Sequence, residues 1–171
     1  MQGYVQVYTG NGKGKTTAAM GQALRAAGAG WKVYIGQFVK GMHYSELDSL
    51  ARYSDLIRIK QYGRDCFIHG DPAEEDCRLA REGLEEVREI VRSGEYHMVV
   101  LDEISIALLY NLVKLEDVMS LIRERHPHVE LILTGRKVPE EIQEIADLVT
   151  EMREVKHFFQ QGIQARSGIE K

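Results

Sequence analysis

The run Gly10-Asn-Gly-Lys-Gly-Lys-Thr-Thr17 directly follows an alternating apolar stretch, Val5-Gln-Val-Tyr-Thr9, and holds the residue types that bind phosphate. Gly10, Gly12 and Gly14 free backbone N–H groups from side-chain bulk. Those amides can converge on phosphate oxygens where a following helix aims its positive dipole end. Lys15 adds a mobile point charge and Thr16 a hydroxyl able to ligate Mg²⁺. The common phosphate-loop pattern places its first glycine five residues before Gly14. Thr9 stands there instead, and the glycine comes one residue later.

A second element is His97-Met-Val-Val-Leu-Asp102-Glu103, an apolar strand delivering two carboxylates at its end. Beside a phosphate loop, an Asp at the tip of a neighbouring strand is expected to hold Mg²⁺ directly or through water. The following Glu can serve as metal ligand or as base. Side chains alternate on a strand, so Asp102 and Glu103 should diverge, with one of them in the metal's inner shell unless the strand has already ended. Leu133-Thr-Gly-Arg136 closes another apolar strand. Arg136 is either a phosphate ligand or a solvated arginine in a turn. Gln37 and Lys40 follow a further strand and line the same region or simply occupy a sheet edge.

These groups need a scaffold that brings strand ends together. Strands are expected at Gly3–Tyr8, Lys32–Phe38, Leu56–Tyr62, Tyr96–Leu101 and Val129–Leu133, with a short apolar stretch at Asp147–Val149. A helix should run from Lys15 to about Ala27 and stop at Gly28-Ala-Gly30. The clearest helix is Ala73–Arg92, where Leu79, Ala80, Gly83, Leu84, Val87, Ile90 and Val91 recur at helical spacing. Trp31 should pack between helix and sheet. Strands separated by helices define an α/β fold, read as a single domain over residues 1–171. Its sheet is mostly parallel and binds ligands at the carboxyl ends of the strands. The 171-residue length suits one substantial core. A net charge of −4 removes nucleic acid from the default partners. Cys66 and Cys77 lack zinc-site spacing, and neither a signal peptide nor a membrane span is expected, which points to a reducing cytoplasm.

Taken together, the phosphate loop, Gly36-Gln-Phe-Val-Lys-Gly41, Val99-Val-Leu-Asp-Glu103, Leu133-Thr-Gly-Arg136, Ala146-Asp-Leu-Val-Thr-Glu-Met152 and Val155-Lys-His157 with Gly162-Ile163 resemble the P-loop type of corrinoid adenosyltransferase. The resemblance spans nearly the whole chain and implies a single P-loop NTPase domain of the RecA-like kind, with a mostly parallel central sheet flanked by helices. It implies transfer of the 5′-deoxyadenosyl group of ATP to the Co(I) of a reduced corrinoid, with triphosphate released, in adenosylcobalamin biosynthesis or salvage. It also implies Mg²⁺ held by Thr16 with Asp102 or Glu103, a catalytic trio of Lys15, Thr16 and Glu103, a flavin or flavoprotein electron donor, and a homodimer. ATP would lie on Gly10, Asn11, Gly12, Lys13, Gly14, Lys15, Thr16, Thr17 and Arg136. In members of the family the phosphates run in reverse relative to other P-loop enzymes, and the displaced first glycine and the additional Lys13 are read as parts of that reversal.

Members of the family remove an axial ligand from cobalt with aromatic side chains in a lid. The matching segment here is Tyr62–Gly70, with Phe67 as the corrinoid contact and His69 where better-known members carry tryptophan. Residues 156–171, which include Gly162, Ser167 and Gly168, are expected to form a flexible cover. Two other activities remain open from the residues alone: a small-molecule P-loop kinase or NTPase, and a nucleotide-dependent binding switch.

Overall fold

The computed structural model describes residues 2–65 and 70–171, and both Phe67 and His69 lie outside the described residues. The strands are β1 (Val5–Thr9), β2 (Val33–Phe38), β3 (Ile57–Tyr62), β4 (Met98–Asp102), β5 (Glu130–Thr134) and β6 (Leu148–Glu151). The helices are α1 (Lys15–Gly28), α2 (Ser45–Ala51), α3 (Glu74–Ser93), α4 (Ile104–Leu109), α5 (Leu115–Glu124) and α6 (Glu140–Ile145). The expected strands and the two long helices are all present, with ends displaced by one or two residues.

The strands form one sheet in the order β3-β2-β4-β5-β1-β6, and every adjacent pair is parallel. One sequence-based expectation is corrected by this order. The strand carrying Asp102 is not the neighbour of the phosphate-loop strand, because β5 is inserted between β4 and β1. That insertion is the RecA-like arrangement. A carboxylate on β4 therefore meets the loop across a strand, and Thr16, beyond the β1 end, bridges the gap to Asp102 at 2.8 Å.

Alternation along the central strands builds two apolar layers. Val99 and Leu101 of β4, Tyr34 and Phe38 of β2, and Leu131 and Leu133 of β5 face α3, α4, α5 and α6. Met98, Val100, Val33, Ile35 and Ile132 face the alanine-rich stripe of α1 and Leu50 of α2. Strands covered on both faces read as continuous apolar runs, which is why β2 and β4 are buried at every position. Small side chains let α1 lie close to the sheet: Ala19, Ala23, Ala26 and Ala27 are its buried contacts. Trp31 packs at the margin of this layer and stacks on His97 at 5.8 Å between ring centres.

On the other side α3 buries Ala80, Gly83, Leu84, Val87 and Val91. It starts where the Asp76 carboxylate accepts the Ala73 N–H at 2.9 Å and a two-pronged contact from Arg64 at 2.6 and 2.7 Å. It ends at Gly94, with φ of 67°. At the margin of the sheet β6 exposes all four of its residues.

Burial dictates how core and edge respond to truncation. Leu133→Ala, at a fully buried position in β5, is expected to cost about 2–5 kcal/mol. Leu148→Ala in the exposed edge strand β6 should change stability by no more than about 0.5 kcal/mol. Denaturant unfolding of the two variants measures the difference.

Candidate active site

The carboxyl ends of the strands carry a row of polar side chains that the apolar core would otherwise reject. Gln61 of β3, Gln37 of β2 and Asp102 of β4 lie level in the sheet register. Thr134 ends β5 beside them. Gln61 donates to the Gln37 side-chain oxygen at 3.1 Å, and Gln37 donates to Asp102 Oδ2 at 3.2 Å. The alternative that Gln37 occupies a sheet edge is therefore excluded: β2 runs between β3 and β4, and Gln37 is completely buried.

Asp102 is the centre of this row, with no exposed surface. Its Oδ1 accepts from Thr16 Oγ1 at 2.8 Å and Thr134 Oγ1 at 2.7 Å. Its Oδ2 accepts from Lys40 Nζ at 2.8 Å as well as from Gln37. A carboxylate has about four lone-pair positions, so these donors leave Asp102 little capacity for another partner. Because Thr16 spends its proton on Asp102, its oxygen lone pairs remain available to a cation.

Glu103 behaves differently. The strand ends at Asp102, and Glu103 adopts a left-handed φ of 59°, which turns its carboxylate into the cavity rather than to the opposite face of a strand. The backbone N–H of Glu103 donates to Thr134 Oγ1 at 2.9 Å, but no hydrogen bond to its carboxylate is present among the described residues. The two carboxylates diverge as expected, but the cause is the backbone turn at the end of the strand rather than alternation along it, leaving Asp102 saturated and Glu103 open.

The phosphate-type loop runs from Gly10 into α1. Gly10 has φ of 97° and Gly14 has φ of 120°, conformations that L side chains resist. A side chain at Gly10 or Gly12 would also collide with Met152, since a Cβ there falls 2.5 or 2.6 Å from its carbonyl oxygen. The same carbonyl accepts the Gly12 N–H at 2.7 Å, and the Met152 N–H donates to the Thr9 carbonyl at 2.8 Å. The chain after β6 therefore clamps the loop, giving the displaced first glycine a local packing cause.

Lys15 is buried and donates to the Gly12 carbonyl at 2.8 Å. Thr16 and Thr17 line a cavity of about 850 Å³ with Lys13, Lys40, Glu103 and Arg136. Gly10 and Asn11 do not line it. The turn that carries Arg136 is fixed by Ser105, whose hydroxyl donates to the Arg136 carbonyl at 2.7 Å. The Arg136 side chain itself is exposed. The far wall comes from residues 157–171: Lys13 Nζ donates to the Ile169 carbonyl at 2.8 Å, and Ser45 Oγ to the Lys171 backbone oxygen at 3.0 Å.

The sequence reading missed Thr134 as a polar anchor and underweighted Gln37 and Lys40. A signal was present, since each is a lone polar residue at or just past the carboxyl end of an apolar strand. Among the described residues no cluster of three or more His, Cys, Asp or Glu is arranged to hold a metal. The donor set instead fits a hard cation through a hydroxyl, an open carboxylate and phosphate oxygens, as Mg²⁺ prefers.

Charges in the cavity push the two acids apart. Burial alone would raise the Asp102 carboxyl, but Lys40, Thr134 and Thr16 outweigh it and hold it below the usual range. Burial raises the Glu103 carboxyl and the nearby Asp102 charge raises it further, against Lys40, Lys15 and Arg136. Burial also lowers the Lys15 ammonium. Burial opposes the Lys40 charge as well, yet Asp102, Glu103 and Glu46 more than offset it, so its pKa rises.

By linkage, the depressed Asp102 contributes stability present above the ordinary Asp range and lost as pH falls through its folded value. The raised Glu103 contributes stability present below the ordinary Glu range and lost as pH rises through its folded value. At pH 7, then, Asp102→Asn should cost about 3 kcal/mol by stranding the Lys40 ammonium, whereas Glu103→Gln should raise the thermal midpoint. Calorimetric melting of the two variants checks the opposed signs.

Comparison with known proteins identifies the scaffold. Residues 1–170 match the family described as ATP:corrinoid adenosyltransferase BtuR/CobO/CobP. A corrinoid adenosyltransferase of Sinorhizobium sp is 36% identical over 172 residues, covering 99% of this chain and 80% of the relative. One from Escherichia coli strain K12 is 36% identical over 170 residues, covering 99% and 86%. Corrinoid adenosyltransferase CobA of Salmonella typhimurium strain LT2 is 35% identical over 170 residues, with the same coverage. No helix among the described residues is long and apolar enough to cross a membrane. With a glycine loop, a saturated Asp102 and an open Glu103 gathered at the carboxyl ends of a six-stranded parallel sheet, this chain belongs to the ATP:corrinoid adenosyltransferase family.

Proposed function

We propose that this chain transfers the 5′-deoxyadenosyl group of ATP to a reduced corrinoid in cobalamin biosynthesis or salvage. The observation that carries the reading is the convergence of the loop, Lys15, Thr16 and Glu103 on one cavity in a chain of this family. In the reaction Co(I) attacks carbon 5′ of ATP, a cobalt–carbon bond forms, the carbon–oxygen bond breaks, and triphosphate leaves with the electron pair. Co(I) is itself the nucleophile, so the protein's work is to orient the nucleotide and neutralise the leaving group.

The loop amides from Lys13 to Thr17, with the Lys13, Lys15 and Arg136 side chains, are assigned to the triphosphate; Gly10 and Asn11, which stand outside the cavity, and Gly12, whose N–H is taken by the Met152 carbonyl, are assigned to shaping the loop. Lys13 reaches the phosphates by exchanging its Ile169 carbonyl contact. Thr16 and Glu103 are assigned as Mg²⁺ ligands, with Asp102 acting through the Thr16 hydroxyl or a water. When bound, Mg²⁺ would offset charge on the triphosphate. Phe67 is carried as the corrinoid contact on sequence resemblance alone.

Residues 156–171 are read as a cover over the nucleotide, within one domain formed by residues 1–171. A cytoplasmic homodimer supplied with electrons by reduced flavin or a flavoprotein completes the reading.

Anaerobic incubation with Mg·ATP and chemically reduced cobalamin tests it. A light-sensitive adenosylated corrinoid and an equal amount of triphosphate are expected; ADP with no alkylated corrinoid would contradict the reading. Lys15→Ala and Thr16→Ala should each lower the transfer rate by a factor of about 100 or more, and chelating Mg²⁺ should stop transfer.

A further inference from the structure

The turn leaving β2 is strained in a way that the assignments above do not use. Val39 has φ of 59°. For a β-branched residue this is an outlier, which persists only where the surroundings impose it. Here the surroundings are the turn leaving β3. The Val39 N–H donates to the Tyr62 carbonyl at 3.3 Å. A Cβ at Gly63 would lie 2.6 Å from the Lys40 nitrogen, and one at Gly41 would lie 2.4 Å from the Arg64 carbonyl carbon. Two turns are thus pressed backbone to backbone, and glycines are the residues that allow it.

The strain sends Lys40 back over the strand ends. Its side chain is 13% exposed, with Nζ 2.8 Å from Asp102 Oδ2, 3.9 Å from Glu46 and 5.1 Å from the centre of the Tyr44 ring. Among the ion pairs within the described residues, this is the one that reaches the fully buried Asp102. Among the described residues it is also the only charged donor to the carboxylate that accepts the Thr16 hydroxyl.

We propose that Lys40 is a positioning residue for the metal–nucleotide complex: its ammonium, aimed by the Val39 turn, locks Asp102 so that the Thr16 hydroxyl presents its lone pairs to Mg²⁺. The inference rests on the reading of the cavity as an Mg·ATP site. Without Lys40, the buried carboxylate loses its counter-charge, turns toward whatever cation or water reaches it, and releases Thr16. ATP would still meet the loop amides and Lys15, so the loss falls on the contribution of Mg²⁺.

The test is titration calorimetry of ATP with and without Mg²⁺, which needs no corrinoid. In Lys40→Met the ratio of the two affinities should fall about 10-fold to 100-fold relative to wild type, while Lys40→Arg restores most of it. Gly63→Ala, which touches neither nucleotide nor Asp102 but displaces the Lys40 backbone, should lower the same ratio, and it carries the test should Lys40→Met fail to fold. A general loss of structure would weaken ATP binding in both conditions and leave the ratio unmoved. An unchanged or raised ratio in Lys40→Met or Gly63→Ala overturns the proposal whatever the thermal midpoints. Wild-type protein that binds no ATP would overturn the underlying reading as well, whereas wild-type binding with failed adenosyl transfer would overturn only the function.

Discussion

A charged carboxylate with no exposed surface has to be compensated inside the protein or it will not stay charged. Asp102 meets that constraint with donors drawn from α1, β2, β5 and the turn after β2. The compensation ties together elements far apart in sequence. Thr16 lies 86 positions from Asp102 and Lys40 lies 62. Nothing in local propensity brings them together. The parallel sheet does so, because its strands end at one level and each of the inner ones delivers its last polar side chain to the same edge.

The same constraint separates two adjacent acids into distinct chemical types. Asp102 spends its acceptor capacity within the protein and stays ionised. Glu103, one residue on and across a left-handed turn, faces the cavity with its carboxylate unclaimed and its affinity for a proton raised. An unclaimed acid beside Lys15 and Arg136 costs stability in the empty protein and is suited to a cation that arrives with the nucleotide. Preorganisation of this kind places the energetic cost in the fold rather than in the reaction step.

Much of this arrangement was legible in the sequence. The glycine loop announces itself because its mechanism needs glycine, lysine and a hydroxyl at fixed local spacing, and β4 because an apolar strand ends abruptly in Asp-Glu. Periodicity located α3 within a residue at each end. What could not be read was register and strand order. Gln37 reads as an ordinary polar residue at a strand end until β2 is known to lie between β3 and β4. Asp102 reads as lying next to the loop strand until β5 is found between them. The reason for glycine at positions 10 and 12 sits at Met152, in a segment that nothing nearby in sequence connects to the loop. Lone polar residues closing apolar strands were the overlooked signal, and Thr134 is the clearest of them.

Asp102 serves as the internal anchor of Thr16 rather than as a direct metal ligand. A crystal structure of the protein with Mg²⁺ and a non-reactive ATP analogue tests this most directly. Thr16 Oγ1 is expected about 2.1 Å from the metal, with Asp102 still accepting from Thr16 and Lys40. An Asp102 oxygen bound directly to Mg²⁺, with Lys40 released from it, would show that Asp102 is a metal ligand and not the anchor of Thr16.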